Sequence, residues 1–300
     1  MLTVVIPTRN RQLELLNLVD RLLSFKNTFE IVVVDSSSTR NHDHIFTQNN
    51  RIRYIHTDIK SAAIQRNIGL KEISEGCKYV AFLDDDVMPN FDYFDKLISL
   101  LKERNAVGVS GFARNSKRQS SNKLNLFGDR LRRVFLLSSK NEGSVPKSGI
   151  NIPAKIRNSP PYIVKVDWLI GCSVWDFQEI QGLRFNPNFF GQSLGEDVLF
   201  SLQASCRGAL YVDTSVILEH SESKVGRPSE FGFYRMWVRN RYAIVTELHG
   251  RRFQLEFHWS NLGKFLALTV TILINPFQRV KAIAGMFVGY YQIFEVRNAS

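Results

Sequence analysis

The sequence predicts an α/β fold in which helices flank a mostly parallel sheet. The first observation is that apolar runs at 2–6 and 30–34 enclose a segment whose apolar residues have helical spacing. Two strands joined through a helix form a βαβ unit, so we expect them to lie parallel with a right-handed crossover. The second observation is the near-continuous apolar run from Tyr79 to Leu83, which is typical of a strand that is buried on both faces.

The individual elements follow from local patterns along the chain. The first strand, 2–6, is ended by Pro7, and Asn10 is the predicted N-cap of the helix that follows it. The other predicted strands are 30–34, 53–55, 79–83, 107–109, the strand-like segment 166–175, 211–212 and 216–218. The other predicted helices begin near residues 61, 91, 196 and 231.

Polar residues follow the ends of the predicted parallel strands. Asp35 follows the second strand, and Asp84, Asp85 and Asp86 follow the buried run at 79–83. Ligands of open α/β sheets bind at this edge, and adjacent carboxylates suit a hard divalent ion, Mg²⁺ or Mn²⁺, shared with a phosphate. We therefore predict a nucleotide site in which Asp35 holds a base or ribose hydroxyl and Asp84 and Asp86 hold ribose and metal. The alternative is a solvated acidic turn that caps the next helix.

The net charge of +11 is concentrated in one part of the chain. Residues 101–167 hold 14 Lys or Arg and 4 Asp or Glu, while the rest of the sequence is nearly balanced. Nucleic acid, anionic lipid, a pyrophosphate ligand or solvent alone would each suit such a surface. Within it, 113–166 lacks periodicity and is predicted to be a loop-rich insertion. Few aromatic residues interleave these charges, so we expect no nucleic-acid partner.

Cysteine usage and the start of the chain indicate a cytoplasmic protein. Cys77, Cys172 and Cys206 lie far apart and form neither a metal-binding nor a disulfide pattern. The N-terminus begins directly with a strand, so we expect no export signal. The apolar run 265–274 is shorter than a membrane span of about 20 residues. We predict that 226–300 is a helical extension, either packed on the domain or lying against the inner face of the plasma membrane.

Five segments occur in the order and with the spacing of one known family. The chain resembles the nucleotide-sugar-dependent glycosyltransferases of family two, which have the GT-A fold, over roughly residues 1–220. No single segment is specific, but the five together are. The segments are Val5 to Arg11, Val33 to Ser37, Ala62 to Gly69, Phe82 to Asp86 and Gly195 to Phe200.

The resemblance implies which residues would bind the donor and a metal ion. Asp84 and Asp86 match the two acids of the DxD motif, the second of which typically meets the metal. His220 matches a histidine that completes the metal site in some relatives; taken alone, a single histidine is as well explained by a surface or core position. The residues implied to line the donor pocket are Pro7, Thr8, Arg11, Asp35, Arg66, Asp84 and Asp85.

The resemblance also implies the catalytic and acceptor side of the site. Asp197, with Glu196 beside it, matches the acidic pair that supplies the general base. As neighbours at a helix start they project about 100° apart, so we expect at most one of them to face a substrate, and the alternative role is to complement the helix dipole. Trp168 and Gly171 match the segment beside the donor sugar and the acceptor. Trp175 and Asp176 depart from the family, whose members often have a more basic ending there.

The function implied by the resemblance is that of a metal-dependent inverting glycosyltransferase in residues 1–225. It would use Mn²⁺ or Mg²⁺ and move a sugar from a nucleotide-diphosphate sugar to a glycan or lipid-linked acceptor, in the synthesis of cell-envelope or extracellular polysaccharide. One alternative is a nucleotidyltransferase, although Pro7-Thr8-Arg9-Asn10 is not a glycine-rich turn. The other is a non-enzymatic binder of an anionic polymer or membrane, built on the basic segment 101–167.

Overall fold

The computed structural model describes most of the chain as one mixed sheet and its flanking helices. The described residues are 1–27, 29–39, 45–115, 126–155, 161–189, 191, 193–221, 228–250 and 254–298. The strands are β1 (Leu2–Thr8), β2 (Glu30–Asp35), β3 (Ile52–His56), β4 (Tyr79–Phe82), β5 (Val87–Pro89), β6 (Gly108–Asn115), β7 (Ile163–Val166), β8 (Ser173–Asp176) and β9 (Leu210–His220). The helices are α1 (Gln12–Leu23), α2 (Ile45–Gln48), α3 (Ala62–Lys71), α4 (Tyr93–Glu103), α5 (Leu126–Val134), α6 (Glu196–Ser205), α7 (Glu230–His249), α8 (Leu255–Val270) and α9 (Pro276–Asn298).

The sheet has the strand order β3-β2-β1-β4-β8-β6-β9-β5, and β7 pairs with β9. Strands β3, β2, β1 and β4 are parallel, so their carboxyl ends meet at one edge as predicted. Beyond β4 the pairing is mixed, because β8 lies antiparallel to both β4 and β6, and β5 and β7 lie antiparallel to β9. The α/β prediction is confirmed; β1 to β4 form one parallel group, and β6 and β9 form a further parallel pair.

Helices cover both faces of the sheet, because alternate side chains of each strand enter different cores. Val4 packs in a core with Leu18 of α1 and residues of α4. Val5 enters the opposite core with Ala63 of α3 and Phe200 of α6. This alternation is what a strand buried on both faces requires.

Several boundaries differ from the sequence-based predictions. Asn10 is not the helix cap: its φ of 55° places it in a left-handed turn, and its Oδ1 accepts a hydrogen bond of 3.1 Å from the Ser38 amide. The two strands predicted at 211–212 and 216–218 form the single strand β9, which contains an irregularity opposite Gly111 and Phe112. Of the segment predicted as strand-like at 166–175, only its ends lie in strands: Val166 ends β7, and Ser173 begins β8.

The predicted loop-rich insertion, 113–166, is partly regular where the structure describes it. It contains the end of β6, helix α5 and β7, and its loop packs inward at Val145, Ser148 and Ile152. The Trp168 indole donates a hydrogen bond of 3.1 Å to the Ile152 carbonyl. This loop therefore contributes to the protein interior.

The C-terminal helices form a layer with a small core of their own. That core contains Tyr234 and Val238 of α7, Phe257 of α8 and Met286 of α9. The prediction of a helical extension agrees with this arrangement. Over the part of the chain that the structure describes, none of the helices is long and apolar enough to cross a membrane.

Candidate functional site

The acidic cluster, which consists of Asp84, Asp85 and Asp86, follows β4 at the carboxyl edge of the parallel strands. Asp85 is 4% exposed and accepts hydrogen bonds of 2.7 Å from the Thr8 hydroxyl and from Arg11 Nη1. Burial raises the pKa of Asp85 to about 6, and Arg11 opposes that shift by stabilising the charged form. Asp85 therefore ties the end of β4 to the turn between β1 and α1.

Asp86 and His220 lie side by side because β5 pairs with β9. Val87 is opposite His220 in that pairing, and His220 Nε2 lies 3.0 Å from Asp86 Oδ1. Asp86 Oδ2 also accepts a bond of 3.2 Å from Arg11 Nη1. The structure thus brings together the two residues predicted to bind a metal ion.

The chemistry of this pair suits a divalent ion that has further ligands. A carboxylate oxygen beside an imidazole nitrogen fits Mn²⁺ well. The described residues contain no group of three His, Cys, Asp or Glu side chains arranged to hold an ion alone. The remaining ligands would have to come from water or from phosphate oxygens, as is usual where a metal is shared with a nucleotide.

A cavity of about 970 Å³ opens beside this cluster. One wall comes from the β1–α1 turn and the acidic cluster, and the opposite wall comes from α7 and α9. The predicted site residues in its wall are Pro7, Thr8, Arg11, Asp84, Asp85, Asp86 and His220. Arg235 and Arg279 also line it, and the buried Nε of Arg279 has no hydrogen-bond partner among the residues that the structure describes.

Asp35 lies at the end of β2, outside the wall of this cavity. It is 2% exposed, and its two oxygens accept bonds of 2.8 Å from the Ser37 amide and 2.7 Å from the Tyr54 hydroxyl. Nearby, the Gln65 side chain donates to the carbonyls of Thr8 and Val34 at 2.7 and 2.6 Å. In this geometry Asp35 stabilises the loop after β2, which pairs with the β1–α1 turn.

Arg66 connects the acidic cluster to α6. Its guanidinium, 3% exposed, donates to Asp84 Oδ1 at 2.7 Å and to the Glu196 carboxylate. A Cβ added to Gly171 would lie 2.9 Å from Arg66 Nη2 and 3.5 Å from Asp84 Oδ1. Glycine at 171 therefore leaves the space in which this ion pair forms.

Glu196 and Asp197 begin α6 beside a second cavity of about 340 Å³. Burial raises the pKa of both carboxyl groups, and the positive charge of Arg66 opposes the shift. Glu196 is held by Arg66, whereas Asp197 Oδ1 accepts a local hydrogen bond of 2.8 Å from the Val198 amide. Predicted residues in this wall are Arg66, Asp84, Trp168, Gly171, Glu196 and Asp197.

The two cavities adjoin. Asp84 and Ala62 line both of them, so a ligand in the large cavity would reach the small one past Asp84. All of the predicted site residues except Asp35 therefore line one or both of the two cavities.

Sequence reasoning missed the residues that α7 contributes. Trp237, Asn240 and Arg241 line the small cavity, and the Arg241 guanidinium stacks 3.9 Å from the centroid of the Trp237 ring. The signal was the polar triplet Arg239-Asn240-Arg241 within an apolar helix. Arg241 is 5% exposed, and its guanidinium donates to the Ser148 carbonyl, to Asn261 and to Ser260, the kind of partners without which buried arginine is rare.

Comparisons with known proteins relate part of the chain to glycosyltransferases. A family model described as glycosyl transferase family 2 matches residues 3–151. Glycosyltransferase GlyG of Streptococcus pneumoniae is 30% identical over 119 residues, which cover 37% of this chain and 38% of that protein. An uncharacterised glycosyltransferase of Rickettsia felis is 31% identical over 110 residues, covering 35% of this chain and 18% of that protein. The match spans well under two thirds of either relative.

Solved structures share the fold at low sequence identity. Residues 1–349 of S. aureus TarS in complex with UDP align with a TM-score of 0.57 at 15% identity, over 98% of this chain and 91% of that one. GalNAc-T7 with UDP, GalNAc and Mn²⁺ aligns with a TM-score of 0.61 at 14% identity, over 86% of this chain and 49% of that one. The GT-A fold expected from the resemblance is therefore confirmed.

Proposed function

Because the chain belongs to glycosyl transferase family 2, we propose that it transfers a sugar from a nucleotide-diphosphate donor to an acceptor hydroxyl with inversion at the anomeric carbon. The observation that carries this proposal is the position of Asp84, which lines both the cavity of the acidic cluster and the cavity of Asp197. A donor whose nucleotide lies in the large cavity would place its sugar beside the Asp197 carboxylate in the small cavity.

The large cavity suits a nucleotide diphosphate. Pro7, Thr8 and Arg11 line it beside the acidic cluster, and Arg235 and Arg279 add positive charge from the opposite wall. Guanidinium groups match the geometry and the charge of phosphate oxygens. UDP-linked sugars are the first donors to test, because TarS and GalNAc-T7, which share the fold, have been solved with UDP.

Asp86 and His220 fit a divalent ion, which is Mn²⁺ or Mg²⁺ in this proposal. Such an ion would supply positive charge next to the diphosphate that leaves the sugar. Arg11 is the residue that orients Asp86 for this role, since it holds the second carboxylate oxygen.

Asp197 is the proposed general base. It lines the small cavity, and burial raises the pKa of its carboxyl group toward neutrality, which improves its match to a general base. Its carboxylate would take the proton from the acceptor hydroxyl as the oxygen bonds to the anomeric carbon and the diphosphate leaves. Glu196 acts by holding Arg66, which also holds Asp84.

The acceptor in this proposal is a glycan or a lipid-linked molecule used in cell-envelope or extracellular polysaccharide synthesis. Trp168 and Gly171 lie in the wall of the small cavity, together with Trp237. Aromatic faces of this kind pack against sugar rings through their apolar surfaces. The proposed location is the cytoplasmic side of the plasma membrane, with the C-terminal helices against the lipid.

The test is transfer from a panel of nucleotide sugars to glycan and lipid-linked acceptors, with the anomeric configuration of the product determined by NMR. Asp197→Asn should lower turnover by about 10²–10⁴-fold while nucleotide affinity stays within error. Asp213→Asn is the matched control, since Asp213 lies in β9, lines neither cavity, and accepts hydrogen bonds from the amide and the hydroxyl of Ser215. Retained configuration, or normal turnover of Asp197→Asn, would overturn the mechanism.

A further inference from the structure

Two exposed apolar stripes run along the C-terminal helices. On α9, the exposed residues recur at spacings of three and four, which places them on one side of the helix. This α9 stripe consists of Phe277, Val280, Ala284, Phe287, Tyr291 and Phe294. The α8 stripe consists of Leu255, Trp259, Leu262, Leu266 and Val270.

The two stripes form one surface. Phe265 of α8 and Phe287 of α9 meet edge to face with ring centroids 5.9 Å apart, and Leu262 lines the same shallow groove as Phe287. The turn between the helices extends the surface with Leu273 and Ile274, which are 90% and 81% exposed. We call the α8 stripe, the α9 stripe and this turn the apolar surface.

The amount of exposed apolar area is unusual for a face in water. Of the 21 large apolar side chains exposed in the described part of the chain, 12 lie between residues 255 and 294. Contiguous exposed apolar patches mark sites of protein or membrane contact.

Between the two ends of the apolar surface the charged residues are basic, while Glu256 and Glu295 lie beside its end residues Leu255 and Phe294. The sequence from 257 to 294 contains Lys264, Arg279 and Lys281 and no Asp or Glu. Lys281 is exposed, and its ammonium lies 3.9 Å from the centroid of the Phe277 ring, at the edge of the surface. Basic residues beside inserted apolar ones are complementary to anionic lipid headgroups.

The helices are positioned to lie on a bilayer. The other side of α9 packs closely on α7, because a Cβ at Gly285 would lie 2.3 Å from the Phe231 carbonyl oxygen and one at Gly289 would lie 2.7 Å from that of Arg235. With one side held by protein, only the opposite side can meet lipid. Helix α8 has 16 residues, fewer than the roughly 20 that a span requires.

We propose that the apolar surface lies in the headgroup layer of an anionic membrane, with Leu273 and Ile274 inserted at the α8–α9 turn. Arg279, two residues beyond Phe277, lines the large cavity, so that cavity opens close to the lipid. The acceptor would then be carried by the membrane rather than free in solution, a conclusion that rests on the proposed glycosyl transfer.

The test is flotation of the full chain with phosphatidylcholine vesicles, with and without phosphatidylserine. The wild type should float with the anionic vesicles. Leu273→Ser combined with Ile274→Ser should lower the partition coefficient by at least about tenfold, because two inserted side chains are lost. Lys281→Gln should lower it by about fivefold on anionic vesicles only. Leu13→Ser, at a side chain 70% exposed on α1, is the matched control and should bind like the wild type.

Failure of the wild type to float, or undiminished binding of the double variant, would overturn the membrane proposal. Sedimentation equilibrium tests whether a second copy of the chain covers the apolar surface instead. If the wild type forms a dimer that the double variant does not form, and does not bind vesicles, the membrane proposal is also overturned. Nucleotide binding of the same proteins without vesicles keeps the two proposals separate. Loss of flotation with intact nucleotide binding contradicts only the membrane contact, and flotation without nucleotide binding contradicts only the transfer function.

Discussion

Asp197 is the side chain on which the proposed chemistry depends most. It sits at the start of α6 in the wall of the small cavity, where burial disfavours its charged form. Glu196 lies beside it and contributes negative charge that Arg66 balances. The protonation of Asp197 is therefore set by how Arg66 is shared among the surrounding carboxylates.

The pH dependence of turnover follows from this arrangement. A general base must be deprotonated, so turnover should fall as pH decreases through the pKa of Asp197. Because burial raises that pKa, the acid limb of the kcat profile should lie above the ordinary aspartate value of 3.8. Glu196→Gln should move the limb to lower pH, since Arg66 would then stabilise fewer carboxylates. Stopped assays across the pH range measure this, and an unmoved limb in Glu196→Gln would contradict the coupling.

Thr8 matters for stability, because its hydroxyl is one of the donors that compensate the burial of Asp85. Thr8→Val keeps the shape of the side chain and removes the donor to a carboxylate that is 4% exposed. Losing a donor to a buried acceptor should cost about 1–3 kcal/mol of the free energy of unfolding. Urea denaturation measures this cost. Thr8→Ser retains the hydroxyl and is the control, so equal loss in both variants would argue against the hydrogen bond.

At the scale of elements, helices α7 and α9 complete a site that begins on the strands. They contribute Arg235 and Arg279 to the wall of the large cavity, opposite the acidic cluster. Their close packing through Gly285 and Gly289 keeps these two arginines on neighbouring elements. The helical extension therefore lines the large cavity as well as forming a layer on the domain.

Arg235 tests this role of α7. Arg235→Gln should weaken binding of a nucleoside diphosphate by about fivefold to thirtyfold and affect the nucleoside alone much less, since a charged contact to phosphate is worth about 1–2 kcal/mol. Titration calorimetry with both ligands separates the two effects. Arg184→Gln, an exposed arginine that lines neither cavity, is the control. Equal weakening of diphosphate and nucleoside by Arg235→Gln would mean that it does not contact phosphate.

Elements that form through local contacts were predicted well, and those that depend on distant partners were not. Strand β2 and helix α3 have clear apolar patterns and occur close to the predicted bounds. Strand β5 has three residues and exists because it pairs with β9, more than a hundred positions later. No local pattern announces such a strand. The same pairing brings His220 to Asp86, so this contact was available only through the family resemblance.

At the scale of the whole molecule, the order of motifs along the chain was enough to predict the fold. Four parallel strands collect their carboxyl ends at one edge, and the acidic cluster lies there as expected. Helix α7 lines both cavities and α9 lines the large one, and these contributions depend on tertiary packing that sequence periodicity does not encode. The sequence predicted the position of Asp35 after β2. It did not predict that the carboxylate accepts hydrogen bonds from the Ser37 amide and the Tyr54 hydroxyl.

We propose that the acidic cluster is a metal-dependent nucleotide site. The direct test is titration calorimetry with UDP, GDP, dTDP and CMP, each with and without Mn²⁺. We expect that one nucleoside diphosphate binds and that Mn²⁺ strengthens its binding. Asp86→Asn should abolish the metal effect while leaving the protein folded. If folded wild-type protein binds none of the four, or if Asp86→Asn binds with the same metal dependence as the wild type, the acidic cluster is not a metal-dependent nucleotide site.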